Sequence, residues 1–152
     1  MYYKDSGKVL KLISVVALVL YLLLLFRLTV FRNSMFDGDR YTQRRMTLKL
    51  WDTYSRLLRT HQPIQFRYLL LGNFFCLSPL GFACGFFRKG SSVLFAAAIC
   101  LCTTLIIEFS QYIFYLGFFE LDDIVLNLLG GVFGYALHLL ICRTRQVQQL
   151  PQ

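Results

Sequence analysis

The sequence predicts an all-α polytopic membrane protein: a four-helix transmembrane bundle with one long basic amphipathic loop. Three observations carry that expectation. Of 152 residues, 57% are hydrophobic and only 16% charged, and mean hydropathy is +0.55, more apolar than ordinary soluble domains. The apolar residues gather in four runs of about 20, the length a helix needs to cross roughly 30 Å of hydrocarbon. A β-barrel's alternation is absent, and a bilayer admits only helices or closed barrels because every backbone polar group must be satisfied within the segment.

The first run, Val9 to Phe31, follows Lys4, Lys8 and Lys11. No small-residue cleavage site follows it, since Phe26, Arg27 and Phe31 stand there, so it is expected to stay as a span. Arg32 to Gln65 is the one long connection. Within it Met46, Leu50, Trp51, Tyr54, Leu57 and Leu58 recur at helical spacing, with Arg44, Arg45, Lys49, Arg56 and Arg59 between them, which predicts an amphipathic helix at the membrane interface. The second run is Phe66 to Phe87, where Pro79 and Gly81 are expected to kink or loosen the helix. Arg88, Lys89 and Gly90 lead to the third run, Ser92 to Tyr115; Leu116 to Glu120 lead to the fourth, Ile124 to Cys142. Both links are short enough to force antiparallel neighbours. No internal repeat divides the chain, so residues 1–152 read as a single membrane domain.

Polar residues inside these runs mark the candidate site. A central Asp, Lys or Arg costs at least about 2.5 to 3.5 kcal/mol in a bilayer, which makes an intramembrane carboxylate a functional candidate by default. Thr104, Glu108, Gln111 and Tyr115 follow one helical stripe, and Asp123, Asn127, Gly130, Gly134 and His138 another. Alternation of the spans puts Asn73, Glu108, Gln111, Asp123 and Asn127 at one membrane face, together with the basic loop. Glu108 is expected within hydrogen-bond reach of Asn127 or Asp123. Gly130-x-x-x-Gly134 suits close helix packing, and Pro79 and Gly81 are grouped with it as packing positions. Asp122 reads equally as a helix N-cap, and His138 as a packing residue. Cys76, Cys84, Cys100, Cys102 and Cys142 all lie in or at the ends of apolar runs and form no Cys-x-x-Cys pair, so neither a metal site nor a structural disulfide is expected. No cofactor motif is present.

Several of these residues occur in a familiar order. Leu71-Gly72-Asn73, Ser78-Pro79-Leu80-Gly81-Phe82, Ile107-Glu108 with Gln111, and Leu121-Asp122-Asp123-Ile124 with Asn127, Gly130 and Gly134 resemble the VanZ-like family of bacterial membrane proteins over about Gln65 to Leu140. The resemblance implies a small polytopic protein whose shared polar positions are Asn73, Glu108, Gln111, Asp123 and Asn127. It also implies a role in the cell envelope or in resistance to the lipoglycopeptide teicoplanin.

Three functional readings stand. One is a non-catalytic envelope protein whose polar intramembrane pocket binds an anionic or amphiphilic ligand, a membrane lipid or lipophilic envelope compound. Another is an intramembrane enzyme using Glu108 and Asp123 as acid and base; no nucleophile, metal set or cofactor motif accompanies them. The third treats Glu108, Gln111 and Asn127 as interhelical hydrogen-bond glue in a structural or transport component. The +8 charge is accounted for by loop and tails at a membrane surface, so nucleic acid is not a partner. Both termini are expected in the cytoplasm, with Lys4, Lys8, Lys11, Arg88, Lys89, Arg143 and Arg145.

Overall fold

The computed structural model describes residues 3–30, 46–88 and 90–147, and their side chains except 3–7, 10, 30 and 145–147. Arg32, Arg44, Arg45 and Lys89, and the side chains of Lys4 and Arg145, lie outside the described residues. In chain order the elements are α1 (Tyr3–Val30), β1 (Met46–Thr47), α2 (Asp52–Arg59), α3 (Pro63–Cys76), α4 (Ser78–Phe87), α5 (Val93–Ile113), β2 (Phe119–Glu120) and α6 (Leu121–Val147). Four stretches are long and apolar enough to cross a membrane, Lys11–Thr29, Pro63–Phe87, Val93–Ile113 and Leu121–Thr144, so the expected four spans are present.

The second span is one membrane-crossing stretch, Pro63–Phe87, interrupted at a single residue, Leu77, as the loosening expected near Pro79 and Gly81. Pro79 has no N–H to give the Phe75 carbonyl four residues back, and its ring is suited to the first turn of a new helix. The chain accordingly breaks at Leu77, which ends α3 and precedes α4. Leu77 is fully buried while Pro79 is exposed, so Pro79 acts through the backbone and not as the packing residue expected of it.

Helix α6 is the centre of the bundle and packs on α3, α4 and α5. Lipid offers no hydrophobic drive between helices, so association depends on close approach and hydrogen bonds. The glycines of α6 supply the approach. A Cβ on Gly130 would stand 1.6 Å from the Phe74 carbonyl oxygen, and one on Gly134 would stand 1.9 Å from that of Ser78. Gly81 of α4 is a packing residue too, since its Cβ would fall 1.8 Å from the Gly131 carbonyl oxygen. Ser78 adds a cross-helix bond, its hydroxyl donating to the Gly130 carbonyl at 3.0 Å. Near the opposite end, Tyr135 donates to the Ser91 carbonyl. There His138 packs edge-on against Phe82, with ring centroids 5.2 Å apart, and fills the space over Gly85.

Helix α1 stands apart. Only 6% of its span is buried. Leu25 joins Leu77, Leu80, Cys100, Ile107 and Leu116 in the core, Tyr21 donates to the Cys76 carbonyl, and the Gln111 amide donates to the Thr29 carbonyl at 2.8 Å. All five cysteines are free thiols.

The long connection differs from the continuous amphipathic helix its spacing suggests. Met46 and Thr47 pair in parallel with Phe119 and Glu120, and helix begins only at Asp52. Trp51 interrupts the periodicity because it adopts a left-handed conformation, φ 62°. Tyr54 and Leu57 face inward, while Met46, Leu50, Trp51 and Leu58 are exposed, an apolar fringe suited to the interface.

These contacts make the glycines unequal. Gly130→Ala and Gly134→Ala must push backbone aside and are expected to lower stability by about 1–3 kcal/mol. Gly72→Ala, where a Cβ meets nothing within 4 Å, is expected to leave it unchanged or raise it. Thermal unfolding of the three purified variants checks the contrast.

Candidate functional site

The polar residues singled out by the sequence gather at the membrane face that carries residues 46–62, and all five take part in hydrogen bonds that fasten one element to another there. Asn73 of α3 donates its side-chain amide to Asp123 of α6 at 2.5 Å. Glu108 of α5, 2% exposed, accepts the backbone N–H of Glu120 at 3.0 Å and so holds β2 over the end of its own helix. Gln111, one turn on, reaches α1 at Thr29. Asn127 donates to Thr104 at 3.0 Å. Asn127, one of the two partners expected for Glu108 beside Asp123, thus meets Thr104, one turn before Glu108 on the same stripe of α5, and Asn127 Oδ1 is left buried with no partner among the described residues.

Asp122 has a different role from an N-cap. Its Oδ1 accepts the Trp51 backbone N–H at 2.6 Å, across 71 residues of chain. A bulky residue at positive φ carries backbone strain of about 1–3 kcal/mol, and a charge-assisted bond to a buried carboxylate offsets it. The other carboxylate oxygen, Oδ2, is buried with no partner among the described residues.

Two further residues belong to this roof and were not singled out from the sequence. Tyr54 is 1% exposed and Thr53 6%, and the hydroxyls of both are buried without a completed hydrogen bond among the described residues. Tyr54 packs edge-on against Trp51 and Phe66. Burial raises its phenol well above the ordinary tyrosine range, Asp123, Asp122 and Glu120 raise it further, and Asn73 opposes them. Tyr54 therefore stands neutral beside the Asn73–Asp123 pair, a hydroxyl able both to donate and to accept. The only hint in the sequence was its place on an inward stripe, which read as apolar packing.

The arrangement thus has an inner layer of Asn73, Glu108, Asp123 and Asn127, and a roof of Thr53, Tyr54 and Asp122. Around it Lys49, Arg56, Arg59 and Arg67 are exposed. No group of three or more His, Cys, Asp or Glu residues is placed to hold a metal among the described residues.

If Asp122 anchors the roof, removing it must free the segment before α2. Asp122→Ala leaves the Trp51 N–H without its acceptor and is expected to cost about 1–3 kcal/mol and to speed amide exchange at Trp51. Asp122→Asn keeps an acceptor oxygen and should preserve most of that protection. Hydrogen exchange of the two purified variants measures the difference.

The comparisons with known proteins agree with this architecture. A family model described as VanZ/LLP1 matches residues 16–142, a stretch that includes every residue of the polar cluster. No curated protein and no solved structure matches the chain. A match over that length, on a chain with four membrane-crossing stretches, identifies a multi-pass membrane protein that belongs to the VanZ/LLP1 family.

Proposed function

We propose that this chain is a non-catalytic protein of the bacterial cell envelope, of the lipoglycopeptide (teicoplanin) resistance type, which binds an amphiphilic or anionic ligand in the polar pocket beneath residues 46–62. One observation supports the reading above others: among the described residues, Thr53 Oγ1 and Asp122 Oδ2 are buried without partners, and the buried Tyr54 hydroxyl has only the Asn73 side chain beside it. A buried polar group left unsatisfied costs about 1–3 kcal/mol. Such under-satisfied groups, on α2 and at the start of α6, fit a ligand that brings its own donors and acceptors. Anionic groups of that ligand suit the exposed Lys49, Arg56, Arg59 and Arg67, while its hydroxyl or amide groups suit the carboxylate and phenol within. In this reading the termini are cytoplasmic and the roof faces the outer surface, where an envelope ligand arrives.

A second reading has its own support. Asn73, Glu108 and Gln111 each bond an element other than their own helix, as interhelical fasteners would. Substitution separates the two, because fasteners stabilise and ligand contacts need not.

The test uses a Gram-positive host without its own member of the family, challenged with teicoplanin. Thr53→Val, Tyr54→Phe and Asp122→Asn are expected to stay folded, within a few degrees of the wild-type Tm. Each is expected to lose about tenfold in protection, the effect of one hydrogen bond worth roughly 1.4 kcal/mol. Folded variants that protect as well as the wild type, or a wild type that protects not at all, would overturn the proposal. A cysteine at Ser55 in a cysteine-free background, labelled by an impermeant thiol reagent on intact cells, is expected to react; protection from the reagent would refute the outward roof.

A further inference from the structure

Next to the polar cluster, α1 and α3 part. They run antiparallel, pinned where Tyr21 donates to the Cys76 carbonyl, and above that bond they diverge around a cleft of about 610 Å³. That volume lies within the range of about 300–1,000 Å³ usual for small-molecule sites. Leu24 and Leu28 form one wall and Leu71 and Phe75 the other, all four more than half exposed. Arg67 lies at the end remote from Tyr21, and Asn73 lines the side.

We propose that this cleft holds an acyl chain of an anionic phospholipid, with the lipid phosphate on Arg67 and the chain lying between α1 and α3 down to the Tyr21–Cys76 bond. The proposal rests on the ligand-binding reading above and gives its ligand a class. Three observations select this occupant. Both walls lie within membrane-crossing stretches, Lys11–Thr29 and Pro63–Phe87, so the surrounding medium is acyl chain. The charge is placed for a headgroup: Arg67 is one turn into α3 and exposed, where a guanidinium pairs a phosphate in bidentate fashion. Asn73 belongs to both sites, lining the cleft while donating to Asp123 in the polar cluster, so one molecule can occupy both. A second cleft between α1 and α4, about 380 Å³ with Ser14, Leu18 and Phe87 in its walls, has no charged residue among those that line it. It is an ordinary lipid-facing groove and serves as the internal comparison.

Gly72 gives a clean way to close the site. It lines the cleft, and a Cβ there meets nothing within 4 Å. Gly72→Trp therefore fills open space without displacing backbone, and replacing glycine inside a helix favours the helix. The purified full chain is placed in phosphatidylcholine vesicles doped with phosphatidylglycerol carrying a photoreactive diazirine in mid-chain, and the adducts are mapped by mass spectrometry. Adducts are expected to concentrate on Leu24, Leu28, Leu71 and Phe75 over Leu12, Val16 and Leu20, which are about as exposed on the same α1. Gly72→Trp is expected to cut cleft labelling by about tenfold while leaving Tm and labelling of Leu12 and Val16 unchanged. Arg67→Gln is expected to erase the preference for phosphatidylglycerol over an identically labelled phosphatidylcholine. Even labelling around α1, or cleft labelling untouched by Gly72→Trp, overturns the proposal. So does protection of the cleft by the chain's own residues 31–45, seen as crosslinks to them. Asp122→Asn leaves the cleft walls in place, so its labelling should match the wild type even where its protection against teicoplanin is lost; failure of the cleft and failure of the pocket are thereby told apart.

Discussion

In a bilayer, apolar side chains gain nothing by leaving lipid for protein, so helices stay together only where their backbones approach closely or their polar groups meet. The glycine face of α6 is where this chain meets that constraint. Gly130, Gly131 and Gly134 admit the carbonyls of Phe74 and Ser78 and the Cys100 side chain into contact distance, which fixes both the separation and the rotation of α6 against α3, α4 and α5. Asp122, Asp123 and Asn127 sit one to two turns before Gly130 on the same helix. With successive residues 100° apart, turning α6 by a single position would carry Asp123 away from Asn73 and Asn127 away from Thr104. The polar face exists because the glycine contact below it admits one rotation.

That dependence explains which features the sequence disclosed. Span number, the shared face and the glycine packing follow from period, length and alternation, and each is local or nearly so. Alternation of spans and depth put Asn73 and Asp123 on one face, but their bond was not legible in them. Partner choice within a stripe was not legible either, because Thr104 and Glu108 are one turn apart on α5 and only the packing of α6 decides which one Asn127 meets. The break at Leu77 is the disturbance that Pro79 signals, and its place two residues earlier follows from proline's fit to the first turn of a helix. Residues 46–51 were misread for a different reason. Their helical spacing is real, but a two-residue pairing with β2 and the Trp51–Asp122 bond outweigh it, and neither partner lies within 70 residues along the chain. Tyr54 shows the same limit, since a buried phenol and a buried phenylalanine leave the same trace in a hydropathy pattern.

The roof also has a distribution of strain and satisfaction that ordinary packing would not select. Trp51 is held at positive φ by one oxygen of Asp122 while the other oxygen goes unpaired among the described residues. Glu108 is spent on a backbone N–H of the turn that follows its helix. A bundle needing only cohesion would use such groups between helices, whereas here they hold short irregular segments across the mouth of the bundle. Non-helical backbone at this level is tolerated where it borders a polar cavity.

The sparse attachment of α1 bears on how the molecule is held together. Lys11–Thr29 is emphatically apolar and 6% buried, so it is stable in lipid as a lone helix. Its attachment sites lie elsewhere in the chain: Cys76 comes from the end of α3 and Gln111 from the end of α5. The place of α1 against the bundle is thus set by groups on two other helices, α3 and α5, and not by burial of its own apolar surface. A helix held at so few points can shift sideways in the plane of the bilayer without disturbing the packing of α3 to α6.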